Sequence, residues 1–100
     1  MGRLKRELER IAEEATIDCY DEYEQIEGWC AYLQDKIDRQ CRCKVGQKES
    51  LLIGFDTNKN GSALLAVVRA DMNEYKVAVE TVTILDKKIS KYLEAYKQWI

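Results

Sequence analysis

Any chemistry in this chain must be done with oxygen and sulfur, because its 100 residues include no histidine. That absence removes the Ser-His-Asp triad, the Cys-His dyad, the imidazole general base and the histidine metal ligand. The carboxylates are concentrated instead. Between Ile11 and Asp35 there is no Lys or Arg, while Glu13, Glu14, Asp18, Asp21, Glu22, Glu24, Glu27 and Asp35 supply eight acids. The net charge of −2 hides this, since the remainder of the chain is net basic, and a local field acts on a partner in a way the total conceals. Calcium takes about six to eight oxygen ligands, mostly carboxylate and carbonyl. Residues three and four apart on a helix are neighbours, so Asp18 with Glu22, Asp21 with Glu24, and Glu24 with Glu27 each offer two carboxylates to one ion. The same residues also suit a solvated helix face, whose first-turn acids meet the helix dipole favourably. A basic protein is a further partner that such a face fits.

A second oxygen-rich stretch, Asp56-x-Asn58-x-Asn60-Gly61, matches the first half of an EF-hand loop. The position that should hold a bidentate Glu is Val67, and a strand follows where a helix should. A hairpin turn whose Asp and Asn side chains bond their own backbone is the simpler reading. Asp56, Asn58 and Asn60 therefore form a second, weaker set of ligands. Cys19, Cys30, Cys41 and Cys43 show no C-x2-C pair and no histidine, so they read as buried structural thiols rather than a zinc site. On one helix, Cys19 and Cys30 would stand about 16 Å apart, beyond disulfide reach. Free thiols, and a start without an apolar targeting core, predict a cytoplasmic protein. No apolar run is long enough to span a bilayer. The cysteines have no partner base and there is no glycine-rich phosphate loop, so the chain is not expected to be an enzyme. A basic stretch, Arg39, Arg42, Lys44 and Lys48, near Trp29 and Tyr32, is a weak match to nucleic-acid binding.

The elements that position these residues follow from periodicity. Leu4, Leu8, Ile11, Ala12 and Ala15 form one stripe of a first helix over about 3–15. Thr16-Ile17-Asp18 reads as a break, and Asp21 with Glu24 has the form of a capping box, so a second helix begins at 19–22. Its face is Tyr23, Ile26, Cys30, Leu33 and Ile37, widened by Trp29 and Tyr32. Gly28 within it implies a close neighbour, since glycine costs a helix about 1 kcal/mol. After Asp38 the period becomes strand-like. Segments 40–45, 49–55, 63–69, 75–79 and 82–85 are separated by turns at Gly46-Gln47, 56–61 and 71–74. Asp86 caps a last helix with a stripe of Ile89, Tyr92, Leu93, Tyr96 and Ile100. The aromatic stripes read as core, and equally suit a homodimer interface.

The string Asp18-Cys19-Tyr20-Asp21-Glu22-Tyr23-Glu24, followed by Gly28-Trp29, Tyr32-Leu33 and Asp35-Lys36-Ile37, resembles the D-C-Y-x-E-Y-E…G-W…Y-L-x-D-K-[LI] segment of the cyanobacterial calcium-binding protein family, CcbP. Lys44-Val45-Gly46-Gln47-Lys48 is similar to that family's K-V-G-D-K turn, with Gln47 in place of the Asp. The resemblance runs over roughly residues 10–98. It implies helices joined to a small SH3-like barrel, and calcium bound through acidic side chains. The expectation is therefore one α+β domain over 1–100: a helical part (1–38), an SH3-like antiparallel barrel (39–85) and a C-terminal helix (86–100). Its function is weak calcium binding, as a buffer or sensor, through Asp18, Asp21, Glu22, Glu24 and Glu27. The alternative is a non-catalytic interaction module whose acidic face docks a basic protein.

Overall fold

The computed structural model describes residues 2–37 and 40–99. Expectations that fall on Asp38, Arg39 and Ile100, and on the side chain of Leu4, lie outside these residues. In chain order the elements are α1 (Gly2–Ala15), α2 (Glu22–Lys36), β1 (Cys41–Val45), β2 (Lys48–Thr57), β3 (Leu64–Ala70), β4 (Asn73–Ala78), a 3-10 turn (Val79–Thr81), β5 (Val82–Ile84) and α3 (Lys87–Trp99).

The strands form one antiparallel sheet in the order β4-β3-β2-β1-β5. Strands β4 and β5 occupy its two edges, and no pairing joins them among the described residues, so the sheet is open where a closed barrel was expected. The chain leaves β4 through the 3-10 turn and crosses to a β5 of only three residues at the other edge. A register shift between Leu52 and Gly54 bends the long β2. It also brings Leu52 and Phe55, three residues apart, to the same buried side, which strict alternation would forbid.

The β3–β4 connection is tighter than the expected turn over 71–74. Asp71 (φ 52°) and Met72 (φ 68°) alone make it, with Lys48 donating to Asp71 Oδ2 at 2.8 Å. Both central residues have positive φ, the form that matches strand twist in a two-residue hairpin. Methionine carries no signal of that conformation, which is why sequence overestimated the turn.

The helices cover one face of the sheet. The core joins Ile11 and Ala15 of α1 and Ile26, Trp29 and Leu33 of α2 to Leu93 and Tyr96 of α3. The sheet contributes Cys43, Leu52, Phe55, Leu64, Ala66 and Val68. Trp29 is fully buried and sits edge-on to Tyr96 at 5.3 Å between ring centres. Tyr23, expected in the α2 stripe, is instead 56% exposed. It stands in the first turn of α2, past the packed part of the helix, beside the β2–β3 turn. A side chain built at Gly61 would touch its ring at 3.8 Å. Helix α3 begins as expected, with Asp86 Oδ1 accepting from the Lys88 backbone N–H at 2.9 Å.

Candidate metal site

The acidic window folds into the hairpin between α1 and α2. At the end of α1, the backbone N–H and the hydroxyl of Thr16 both donate to the Ala12 carbonyl, at 3.1 and 2.8 Å. The chain then turns through Asp18 in the left-handed region (φ 60°), which Asp tolerates better than most residues. Asp21 caps α2, its Oδ1 accepting from the Glu24 N–H at 2.8 Å. Glu24 Oε2 accepts from the Tyr20 N–H at 3.0 Å, one residue before the cap, so the capping box is present in a shifted form. Gly28 holds the two helices together. A Cβ there would lie 2.6 Å from the Ala15 carbonyl oxygen and 2.9 Å from Cys19 Sγ, so only glycine permits this approach.

This geometry divides the five candidate carboxylates. Asp21 and Glu24 each give one oxygen to the backbone and keep the other. Asp18, Glu22 and Glu27 are exposed and make no hydrogen bond or ion pair among the described residues. The negative field is registered by Cys19, whose thiol is pushed up by burial and then by Glu24, Asp18 and Asp21. The donor set is all hard oxygen, which suits calcium. The described residues hold no group of three or more candidate ligands already converged on one point. An ion there has to draw exposed side chains together, a feature of weak sites.

The second set behaves differently. Asp56 Oδ2 takes the Lys76 ammonium at 2.8 Å and its Oδ1 takes the Thr57 N–H at 2.8 Å. The paired lysine and that backbone bond hold the Asp56 carboxyl below its ordinary value. Asn58 closes the turn: its Oδ1 accepts from the N–H groups of Ser62 and Ala63 at 2.8 and 3.2 Å, and its Nδ2 donates to Ser62 Oγ at 3.0 Å. Gly61 adopts φ 69°. This is a hairpin turn in which Asp56 and Asn58 already use their acceptors, while Asn60 is exposed and makes no side-chain hydrogen bond among the described residues.

Three acids of the window stand outside the five candidates: Asp35, exposed near the end of α2, and Glu13 and Glu14. Glu13 and Glu14 lie in the last turn of α1, which holds no basic residue, the charge sign a helix C-terminus disfavours. Glu14 Oε2 accepts from the Tyr32 hydroxyl at 2.9 Å and ties α1 to α2. That bond and the burial of the ring both raise the Tyr32 phenol above its usual range, burial more strongly. Acids at the wrong end of a helix were the signal available in the sequence.

The four cysteines are free, with Cys43 buried and the other three partly so. Burial raises Cys43 to about 11, with Cys41 adding to it. The basic stretch has no exposed indole beside it, because Trp29 is wholly buried, and Lys48 is paired with Asp71. No described helix is long and apolar enough to cross a membrane.

A family model described as calcium binding, Calci_bind_CcbP, matches residues 9–100. A sequence search of curated proteins gives no match. Among solved structures, the crystal structure of Anabaena CcbP superposes with a TM-score of 0.80 at 16% identity, over 95% of this chain and 89% of that one. A calcium-binding protein in its calcium-binding form superposes with a TM-score of 0.76 at 18% identity, over 99% of this chain and 94% of that one. At such identities these likenesses speak for a shared fold.

Proposed function

The chain belongs to the CcbP family of calcium-binding proteins, and we propose that it binds calcium weakly, as a buffer or sensor, through Asp18, Asp21, Glu22, Glu24 and Glu27. The observation that carries this reading is the family match over residues 9–100, which takes in the second half of α1, the turn after it and all of α2. The hairpin supports it with carboxylates that pair with no lysine or arginine among the described residues and with α1's acidic last turn. Asp56, Asn58 and Asn60 are the weaker set, since their turn already uses the oxygens of Asp56 and Asn58. Affinity is micromolar or poorer, as expected for exposed ligands that must be gathered. The protein acts without catalysis, as one domain in the cytoplasm. We read its open five-stranded sheet, with the 3-10 turn before β5, as an opened form of the SH3-like barrel that the resemblance implies.

Isothermal titration with calcium tests this reading. Saturable heat in the wild type, weakened in Glu22→Gln and Glu24→Gln, supports it; no heat at millimolar calcium contradicts it. A docking face for a basic protein is the second reading. It is favoured by Ile17, Tyr20 and Tyr23, which are 70%, 86% and 56% exposed among the acids. It requires salt-sensitive binding that a chelator does not change.

A further inference from the structure

The carboxylates of the hairpin leave a concentration of opposite charge unexplained at the other end of α2. A cavity of about 640 Å³ opens there between the end of α2, β1 and the start of α3. Lys36, Arg42 and Lys88 line it, one from each element, and Asp86 is the one carboxylate among its described lining residues. Asp86 is engaged as the α3 cap. None of the three cations has an ion-pair partner among the described residues, and Lys36 Nζ rests over the Tyr32 ring at 5.5 Å.

Helix α3 supplies an independent observation. It opens Lys87-Lys88 with no acid in its first turn, the charge sign a helix N-terminus disfavours. In α2 the same position holds Glu22 and Glu24. The Asp86 cap supplies one carboxylate at that end, and the three cations lining the cavity outnumber it, so a bound anion there would also meet the helix N-terminus. One wall of the cavity is apolar, formed by Leu85, which is 40% exposed, and Ile89. The volume lies within the range of small-molecule sites, about 300–1,000 Å³, and exceeds what a bare phosphate would fill.

We propose that this cavity binds a small organic phosphate monoester. The guanidinium of Arg42 pairs with the phosphate in its planar fork, Lys36 and Lys88 add point charge, and the organic body lies against Leu85 and Ile89. The site is separate from the calcium reading and stands whether or not that reading does.

The test is a ¹⁵N–¹H NMR titration of the full chain in calcium-free buffer, using adenosine 5′-monophosphate, inorganic phosphate and uncharged adenosine as probes. The nucleotide is expected to shift the amides around Lys36, Arg42 and Leu85–Ile89 saturably, phosphate to shift the same amides more weakly, and adenosine to leave them in place. Arg42→Glu and Lys88→Glu should each weaken the nucleotide about tenfold or more, and Lys88→Gln by less. Lys44→Glu, on the same strand and outside the cavity lining, should change nothing. Non-saturating shifts spread over all basic residues would overturn the proposal, as would undiminished binding in both Arg42→Glu and Lys88→Glu. So would preferential binding to an oligonucleotide weakened equally by Lys44→Glu, or binding to phosphatidic acid vesicles without binding to the free nucleotide.

Discussion

The α1–α2 hairpin and the β2–β3 turn are both rich in side-chain oxygen, and both suggest a hard cation from sequence. In the β2–β3 turn, Asp56 is held by Lys76 and the Thr57 N–H, and Asn58 by Ser62 and Ala63. In the hairpin, Asp21 and Glu24 spend one oxygen each on the start of α2, and Asp18, Glu22 and Glu27 spend none among the described residues. Oxygen content alone does not make an ion site. What separates the two regions is whether charge remains after the backbone and neighbouring cations have been satisfied.

The largest effect that would break this contrast is on calcium affinity. Replacing Asp18, Glu22 and Glu27 together with their amides should abolish measurable binding. Each carboxylate near a divalent ion contributes about 2 kcal/mol, twice the unit-charge value in water. Asp56→Asn should leave calcium titration unchanged; if it weakens binding as much as the triple variant does, the contrast fails.

Gly28→Ala comes next. The added Cβ meets the Ala15 carbonyl, and the resulting strain should destabilise the fold by about 1–3 kcal/mol in urea melts, despite alanine's better helix propensity. Asn58→Ala should cost about 1–2 kcal/mol by stranding the backbone donors of its turn, with calcium binding unaffected. Asp21→Asn sharpens the comparison from within the hairpin. The amide oxygen caps as well as the carboxylate, so stability should change by less than about 1 kcal/mol while calcium binding weakens. Asp21→Ala should lose both.

The smallest effect lies far from either turn. Lys91 donates to Glu7 at 2.8 Å between α3 and α1, and that bond lowers the Glu7 carboxyl from 4.5. A lowered carboxylate stabilises above its ordinary value and loses that contribution as pH falls through the folded-state value. Glu7→Gln should therefore melt slightly below the wild type at neutral pH, and the difference should vanish in acid.

Sequence showed the helices, four or five strands and the break at Thr16-Ile17-Asp18 because each leaves a periodic or capping signal. Gly28 could be read as a close contact because a glycine inside a helix needs a reason, and the Ala15 carbonyl supplies it. Three features were not legible. Tyr23 obeys the spacing of the α2 stripe, yet the packing ends before it. The bulge after Leu52 is marked only by Gly54, and a glycine inside a strand signals a bulge or a close backbone approach alike. The open sheet depends on where β4 and β5 lie, a long-range outcome that no window of sequence records. For the site, the carboxylates themselves were visible; which of their oxygens the backbone would claim was not, because that depends on hydrogen bonds formed only after the turns close.

The central claim is that calcium is held by the hairpin and not by the β2–β3 turn, and ¹⁵N–¹H NMR spectra recorded during calcium addition test it most directly. Saturable shifts over residues 16–28, with residues 56–62 unchanged except where Gly61 adjoins Tyr23, are the predicted result. Saturable shifts centred on Asp56, Asn58 and Asn60, with the hairpin amides unmoved, would contradict it.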